Sequence, residues 1–250
     1  MMIPAWVKRL MRMGLAGLVG GASLAFAQPA DMQPVGRFLI DRTEVTVGAF
    51  RRFTQATGSV TAAERAGGGS TYEGGWQQRQ GWTWQAPYGR PAADDEPTVH
   101  VTHGEAAAYC RWAGKRLPTD AEWGEAAYVE RRPDPPAGFV TGRRYPYPTG
   151  DSPQGANCLG DCGEVRTVAH AVTSRGSGHA RAGSTRAGVN GLYDMGGNAW
   201  EWVAAEAGRE PRTRGGSWWY GAAQMRDDHV QGKPADTAVV YIGFRCAKDR

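Results

Sequence analysis

The hydrophobic positions of this chain fall into short, well-bounded groups separated by glycine. Phe38, Leu39 and Ile40 form an apolar run of strand length. Val47, Phe50 and Phe53 then recur every three residues, which predicts a helix with one aromatic face, capped by Thr46 and ended by Gly58. Two further helices are marked by a threonine followed three residues later by a glutamate, a pair that satisfies the free backbone amides of a helix start reciprocally. The first begins at Thr102 and Glu105 and carries Ala106, Tyr109, Cys110 and Ala113 on one face before Gly114. The second begins at Thr119 and Glu122 behind Pro118 and carries Trp123, Ala126 and Ala127. Cys110 is therefore expected to point inward.

Between these elements the periodicity is lost. Residues 67–97 combine Gly67, Gly68, Gly69, Gly74 and Gly75 with Trp76, Trp82 and Trp84, and read as a long ordered loop packed by its own aromatics. Residues 131–142 form a Pro and Gly loop, and 163–188 show little apolar pattern. Order returns at Gly191, in stretches dense in glycine and tryptophan that bring backbone close to large rings. With 36 Gly, 15 Pro and 10 Trp in 250 residues, the chain is turn-rich but has enough aromatic surface to pack.

The N-terminus changes the charge picture. Lys8, Arg9 and Arg12 precede an apolar run that ends in Ala25-Phe26-Ala27, which predicts a secretory leader over residues 1–27 and a single domain over 28–250. A membrane anchor is the weaker reading, because the run is short, glycine-rich and lacks a basic flank. The expected location is periplasmic or secreted, with no membrane span after leader removal. Those three basic residues carry most of the formal charge of +4, so the remainder is nearly neutral and has no basic stripe. Nucleic acid and anionic membrane are thereby disfavoured as partners. All four cysteines lie beyond the leader, where oxidation is expected and three pairings are possible. Cys158 and Cys162 can close a small staple, leaving Cys110 for Cys246, whereas a zinc site at Cys158 and Cys162 lacks a second ligand pair.

Six motifs then occur in order: FLIDRTEVTVGAFRRFTQATG at 38–58, PTVHVTHGEAAAYCRWAGKRLPTDAEWGEAA at 97–127, GANC at 155–158, GLYDMGGNAWEW at 191–202, RGGSWW at 214–219 and GFRCA at 243–247. Together they resemble the sulfatase-modifying-factor, or formylglycine-generating enzyme, family. That family includes pyoverdine-maturation proteins of the bacterial periplasm and the catalytic domain of ergothioneine-type sulfoxide synthases. The resemblance implies a compact, loop-rich α+β domain related to the C-type lectin fold, and a bridge between Cys110 and Cys246. It also implies a structural calcium ion held by the side chains of Asp194 and Glu201 and the carbonyls of Gly197 and Ala199, hard oxygen donors that suit calcium. A second calcium loop is half recognisable in Asn157 and the carbonyl of Cys158, its acidic partner missing from residues 163–188.

The catalytic region departs from the family pattern. Formylglycine formation in the family uses two thiolates spaced C-x-x-x-x-C after RGGS, soft ligands that suit Cu(I). Here Tyr220 and Met225 stand at those positions, so no copper is expected. An iron site needs clustered histidines, and the five present are scattered along the chain; His100 and His103 read as helix-entry packing. By analogy, what remains is a pocket in which Tyr220, His229, Ser217 and Arg226 are the catalytic candidates, and Trp200, Trp219 and Arg245 bind substrate. Arg214 and Arg245 have a second reading as loop braces, and Asp227-Asp228 reads as a solvated turn. The leading expectation is a maturation or oxidoreductase-type enzyme acting on a peptide-derived or aromatic substrate without a copper dithiolate. The alternative is a non-catalytic accessory protein that holds a client protein. A closed pocket of convergent polar groups beside Tyr220 and His229 favours the enzyme, and an open aromatic surface favours the binder.

Overall fold

The computed structural model describes residues 32–250, so the leader expected over residues 1–27 lies outside the described residues. Strand β1 (Met32–Val35) turns through Gly36 into β2 (Phe38–Asp41). The C-terminal strand β9 (Ala247–Asp249) pairs antiparallel with β2, setting Ile40 opposite Ala247. Both ends of the described chain thus share one three-stranded sheet. Helix α1 (Val47–Thr57) follows the predicted pattern: the Thr46 side chain accepts from the Ala49 amide, and Gly58 takes a left-handed φ of 67° while its N–H bonds the Thr54 carbonyl. Val47, Phe50 and Phe53 form its buried face.

A one-turn helix, α2 (Ala62–Arg65), carries a capping box between Thr61 and Glu64. The stretch expected to be a loop then contains a hairpin, β3 (Ser70–Tyr72) and β4 (Trp76–Gln78), with Tyr72 opposite Trp76. Three-residue strands are too short to show a period, and the Gly74-Gly75 turn between them was read only as loop chemistry. Trp82 and Trp84 are buried as expected, but Trp76 is 59% exposed. Helices α3 (His103–Trp112) and α4 (Asp120–Tyr128) both start with complete capping boxes. A second sheet, order β7-β6-β5-β8, is built from β5 (Trp200–Trp202), β6 (Arg212–Arg214), β7 (Gln231–Gly232) and β8 (Ile242–Gly243), with β5 and β8 parallel. Short strands, short helices and long connections make this the loop-rich α+β domain expected.

Aromatic rings organise the core. Phe50 contacts Phe53, Trp84, Tyr109 and Phe244 at centroid distances of 5.2–6.3 Å, binding α1, α3 and the C-terminal segment together. A second cluster gathers Trp123 and Tyr128 of α4 with Ile40, Leu192 and Met195. Cys110 is buried and bonded to Cys246 across 136 residues, and Cys158 is bonded to Cys162 across four. The two bridges are the pairing the family resemblance and the spacing each favoured, and the sulfurs of a zinc reading are consumed in the second.

Loop length separates the two bridges energetically. On the chain-entropy scale, replacing Cys110 and Cys246 by serine should cost about 5 kcal/mol, and replacing Cys158 and Cys162 about 2 kcal/mol. Urea unfolding under non-reducing conditions measures both; a smaller loss for the long bridge than for the staple would contradict this ordering.

Candidate functional site

The RGGSWWY segment follows β6 and makes a tight turn that only glycine permits. Gly215 has a φ of +95°, and a Cβ there would stand 2.6 Å from the Met195 carbonyl oxygen. The Tyr220 amide bonds the Ser217 carbonyl at 3.0 Å, and the Trp218 amide bonds the Asn198 carbonyl at 3.0 Å, which fixes the turn against the segment that leads into β5. The result is an aromatic shelf. Trp200 lies between Tyr220, edge-on at 5.9 Å, and His229, tilted at 5.7 Å. Tyr241 continues the ring layer, 5.8 Å from Tyr220 and 5.5 Å from Trp219; it is buried like Trp200 and Trp219, which leaves Tyr220 and His229 as the partly exposed members. Arg175 places its guanidinium 5.0 Å from the Trp219 ring centre, within cation–π range. Burial, reinforced by the neighbouring Tyr220 hydroxyl, pushes the Tyr241 hydroxyl well above the ordinary phenol range, so it stays protonated at neutral pH.

Of the polar groups expected to converge here, Tyr220 and His229 each pack on Trp200. Ser217 is fully buried, with its oxygen accepting the Trp219 amide at 3.3 Å. Arg226 lies in the open, 5.7 Å over Tyr147 and 3.4 Å from Asp228. Arg245 does not face the shelf, contrary to the substrate-binding role read for it. Its guanidinium is wholly buried, bonds Glu201 at 2.6–2.9 Å and donates to the carbonyls of Asp41 and Tyr193. The brace reading holds for Arg214, which lies over Trp123 and Tyr128 and donates to the carbonyls of Asp227 and His229, holding the His229 segment in place. Asp227 is more than a solvated turn residue, because it is half-buried and pairs with both Arg144 and Arg214. Two clefts of about 440 Å³ open on the surface, and neither is lined by Tyr220 or His229.

Residues 11–250 match the family model described as the sulfatase-modifying factor enzyme 1-like domain. The chain belongs to the sulfatase-modifying-factor family. It is 31% identical to the formylglycine-generating enzyme of Streptomyces coelicolor, covering 85% of this chain and 78% of that one. It is 30% identical to the inactive C-alpha-formylglycine-generating enzyme 2 of Mus musculus, covering 88% and 77%. PvdO from Pseudomonas aeruginosa shares the fold, with a TM-score of 0.57 at 23% identity over 85% of this chain and 80% of that structure.

Within this family frame the copper donors are replaced by residues of a different kind. All four cysteines are in disulfides. Met225 is fully buried against Ala156, Cys162 and Ala222, and its carbonyl accepts the Tyr128 hydroxyl at 2.9 Å. A phenol on the shelf and a thioether in the core supply neither the charge nor the convergence of two thiolates, so these residues do not fit a Cu(I) dithiolate.

The region expected to hold calcium concentrates buried negative charge. Glu44, Asp194 and Glu201 are all buried, and Arg245 is the cation that interacts with all three. Three carboxyl groups share one guanidinium, which cannot balance them all if all are ionised. Burial, with the neighbouring carboxylates, pushes Glu44 far above the usual range, and burial raises Asp194 as well. The Asp194 oxygens accept from the Gly183 amide at 2.6 Å and the Thr185 hydroxyl at 2.5 Å. Glu201 accepts from Arg245 and from the Trp123 indole at 2.8 Å. Glu44 accepts from the Asn198 side chain and the Ala199 amide. Gly197 packs on the backbone of Asn157, whose side-chain amide donates to the Gly178 carbonyl and the Asn198 oxygen. Each carboxylate oxygen already accepts a hydrogen bond but retains further lone pairs, and carboxylate and carbonyl oxygens are the donor type that suits a hard divalent cation.

Sequence reasoning missed one constellation altogether. The Nε2 atoms of His179 and His170 lie 2.9 Å and 3.2 Å from the same Glu96 oxygen. The Tyr88 hydroxyl sits 3.0 Å from His179 Nδ1 and accepts the His179 amide at 2.9 Å. Since a carboxylate only accepts, the network places the His179 proton on Nε2 and lets Nδ1 accept from Tyr88. Burial drives His179 down, while Glu96 is held below the usual carboxylate range by His179 and the Ala93 amide despite its own burial. No local pattern links these residues, which lie in two aperiodic stretches. His100 and His103, by contrast, bond separate carbonyls, of Pro87 and Val203, as helix-entry packing requires.

His100 gives this part of the fold a measurable pH dependence. Burial lowers it from 6.5 to about 4, so it stays neutral in the folded chain where the unfolded chain would bind a proton. Its contribution is intact above pH 6.5 and is lost as the pH falls from there towards 4, by about 3 kcal/mol at most. At a φ of +58° asparagine is well tolerated, so His100→Asn should flatten the stability–pH profile across that window relative to wild type. Parallel profiles from chemical denaturation at several pH values would refute the assignment.

Proposed function

We propose that this protein is an exported, copper-independent member of its family that binds a peptide-type or aromatic ligand on the Trp200, Trp219, Tyr220, His229 shelf, as an accessory or binding protein rather than an oxidase of the dithiolate type. The observation that carries this reading is the state of the site itself. Trp200 and Trp219 are buried and leave only Tyr220 and His229 partly exposed at the edge of the rings, while Ser217, Arg245 and Met225 are turned into the core and Arg226 away from it. Two ring side chains on a packed base, with few other polar groups beside them, suit recognition, since such rings offer contact area at low entropic cost. Export is supported by the leader expected at residues 1–27 and by two disulfides, which persist in oxidising compartments. Among the described residues no helix is long and apolar enough to cross a membrane. A catalytic reading retains one specific support, the placing of both Tyr220 and His229 on Trp200, where His229 would handle a proton.

A sulfatase-type cysteine peptide tests both readings. The purified protein, with and without Cu(I), should leave the peptide mass unchanged, and Tyr220→Ala and His229→Ala should each weaken peptide binding about tenfold in calorimetry. Mass loss on the cysteine, the signature of aldehyde formation, would overturn the proposal; binding untouched by both substitutions would move the ligand off the shelf.

The same reading assigns calcium a structural role at Asp194, Gly197, Ala199 and Glu201, with Glu44 adding to the field. An ion that binds only the folded state adds stability by mass action. Chelation should lower the melting temperature of wild type, and added calcium should restore it. Asp194→Asn should melt low and show no further response to chelator. Identical wild-type melting curves with and without chelator would remove calcium from the account.

A further inference from the structure

The second cleft of about 440 Å³ lies between the β3–β4 hairpin and residues 232–239, away from the shelf residues. Backbone bonds hold the hairpin there: the Ser70 amide to the Ala238 carbonyl at 3.0 Å, and the Val240 amide to the Ser70 carbonyl at 3.2 Å. The Glu73 carboxylate at the hairpin turn accepts the Ser174 amide, which ties down its far end. On this fixed mount Trp76 presents an indole that is 59% exposed, supported edge-on by Tyr72 at 5.6 Å. Facing into the same cleft is Lys233, whose amide is fixed to the Pro211 carbonyl at 2.9 Å.

Lys233 is the unusual group. It is half-buried, and among the described residues its ammonium makes no hydrogen bond and no ion pair; Glu210 attracts it only from a longer distance. Burial lowers its pKa, as expected of a cation without a close partner. The other charge in the cleft, Asp236, is exposed in the turn closed by the Thr237 amide and the Pro234 carbonyl, where solvent screens it. A half-buried, unpaired ammonium beside an open indole face calls for an anion attached to a flat apolar group. One compact cation, with Asp236 at the rim, suits a single carboxylate and disfavours a doubly charged phosphate, which needs more donors. The volume falls in the range of small-molecule pockets.

We propose that this cleft binds a small aromatic carboxylate, its ring on Trp76 and its carboxylate on Lys233. The hydroxyls of Ser70 and Thr237, also in the lining, are placed to serve the second carboxylate oxygen. The inference is independent of the shelf, because it uses none of Trp200, Trp219, Tyr220 or His229.

Phenylacetate is the probe, with phenylacetamide as its neutral twin, each titrated into the whole protein by calorimetry and by NMR of the indole N–H signals. Phenylacetate should saturate in the millimolar range or below, at least about tenfold tighter than phenylacetamide, and shift the Trp76 signal identified by Trp76→Phe. Lys233→Gln should bring phenylacetate down to the amide's affinity, Trp76→Ala should abolish binding of both, and Asp236→Asn should tighten phenylacetate. Tyr220→Ala should leave the phenylacetate titration of the Trp76 signal unchanged, which separates this site from the shelf. Equal affinity for the two probes, shifts centred on another indole, or no saturation by phenylacetate would each overturn the proposal.

Discussion

The buried pairing of Arg245 with Glu201 is the constraint on which most of the architecture rests. Through one guanidinium it joins β5, the Asp41 end of β2 and the Tyr193 segment, which lie far apart in sequence. Burial works against the charge of Arg245, and Glu201, with Glu44 and Asp194 beyond it, more than offsets that cost and raises its pKa further. Removing one partner of such a pair costs about 3–5 kcal/mol because the other charge is left stranded. The pair also explains why acidic groups gather where they do: Glu201 stands next to Asp194 and Glu44 in a region where one arginine cannot balance three carboxylates. The crowding of acidic groups there is a consequence of the same strut that closes the two sheets together.

What was readable in advance follows the range of the interaction. Helices α1, α3 and α4 were legible because cap, period and stop lie within a dozen residues, at Thr46, Thr102 and Thr119. The box at Thr61 and Glu64 carries the same signal, but the Ala62-Ala63 that follows has no apolar period to confirm it. The β3–β4 hairpin hid in a glycine-rich stretch for a similar reason. At the site, the RGGSWW motif leads directly to Tyr220, which its glycine turn sets against Trp200, whereas His229 lies outside every motif. The two readings of Arg245, ligand binder or loop brace, could not be separated locally, because the direction of a long side chain is decided by partners distant in sequence: Glu201 makes Arg245 a brace, and Tyr147 and Asp228 receive Arg226.

Residues 163–188 show how a segment without an apolar stripe is nevertheless ordered. Its anchors are polar and specific: Gly178 to Asn157, His179 and His170 to Glu96, Ala180 to Asn198, and Gly183 and Thr185 to Asp194. Each hydrogen bond is worth only about 1 kcal/mol net, so order depends on their number and on satisfying groups that would be costly to bury unpaired. The buried Tyr88–His179–Glu96 chain is one of these anchors, and it fixes the segment that carries Arg175 over Trp219. A polar network in one part of the fold thus sets the edge of the aromatic shelf in another.

The loss of the thiolate pair is accordingly more than a change of two ligands. Met225 fills space between Ala156, Cys162 and Ala222, with Gly196 and Gly216 close around it. Its backbone carbonyl anchors Tyr128, which also supports Arg214 and through it the His229 segment. A cysteine at position 225 would be smaller than the methionine and would leave a void in that packing, at a cost on the order of 1–2 kcal/mol. Position 225 has therefore become part of the core that shapes the shelf, and Tyr220 part of the shelf's surface. The two side chains have different surroundings, Tyr220 against Trp200 and Tyr241 and Met225 among Ala156, Cys162 and Ala222. The ring layer is held by residues committed to packing, and that packing sets Tyr220 and His229 at its partly exposed edge.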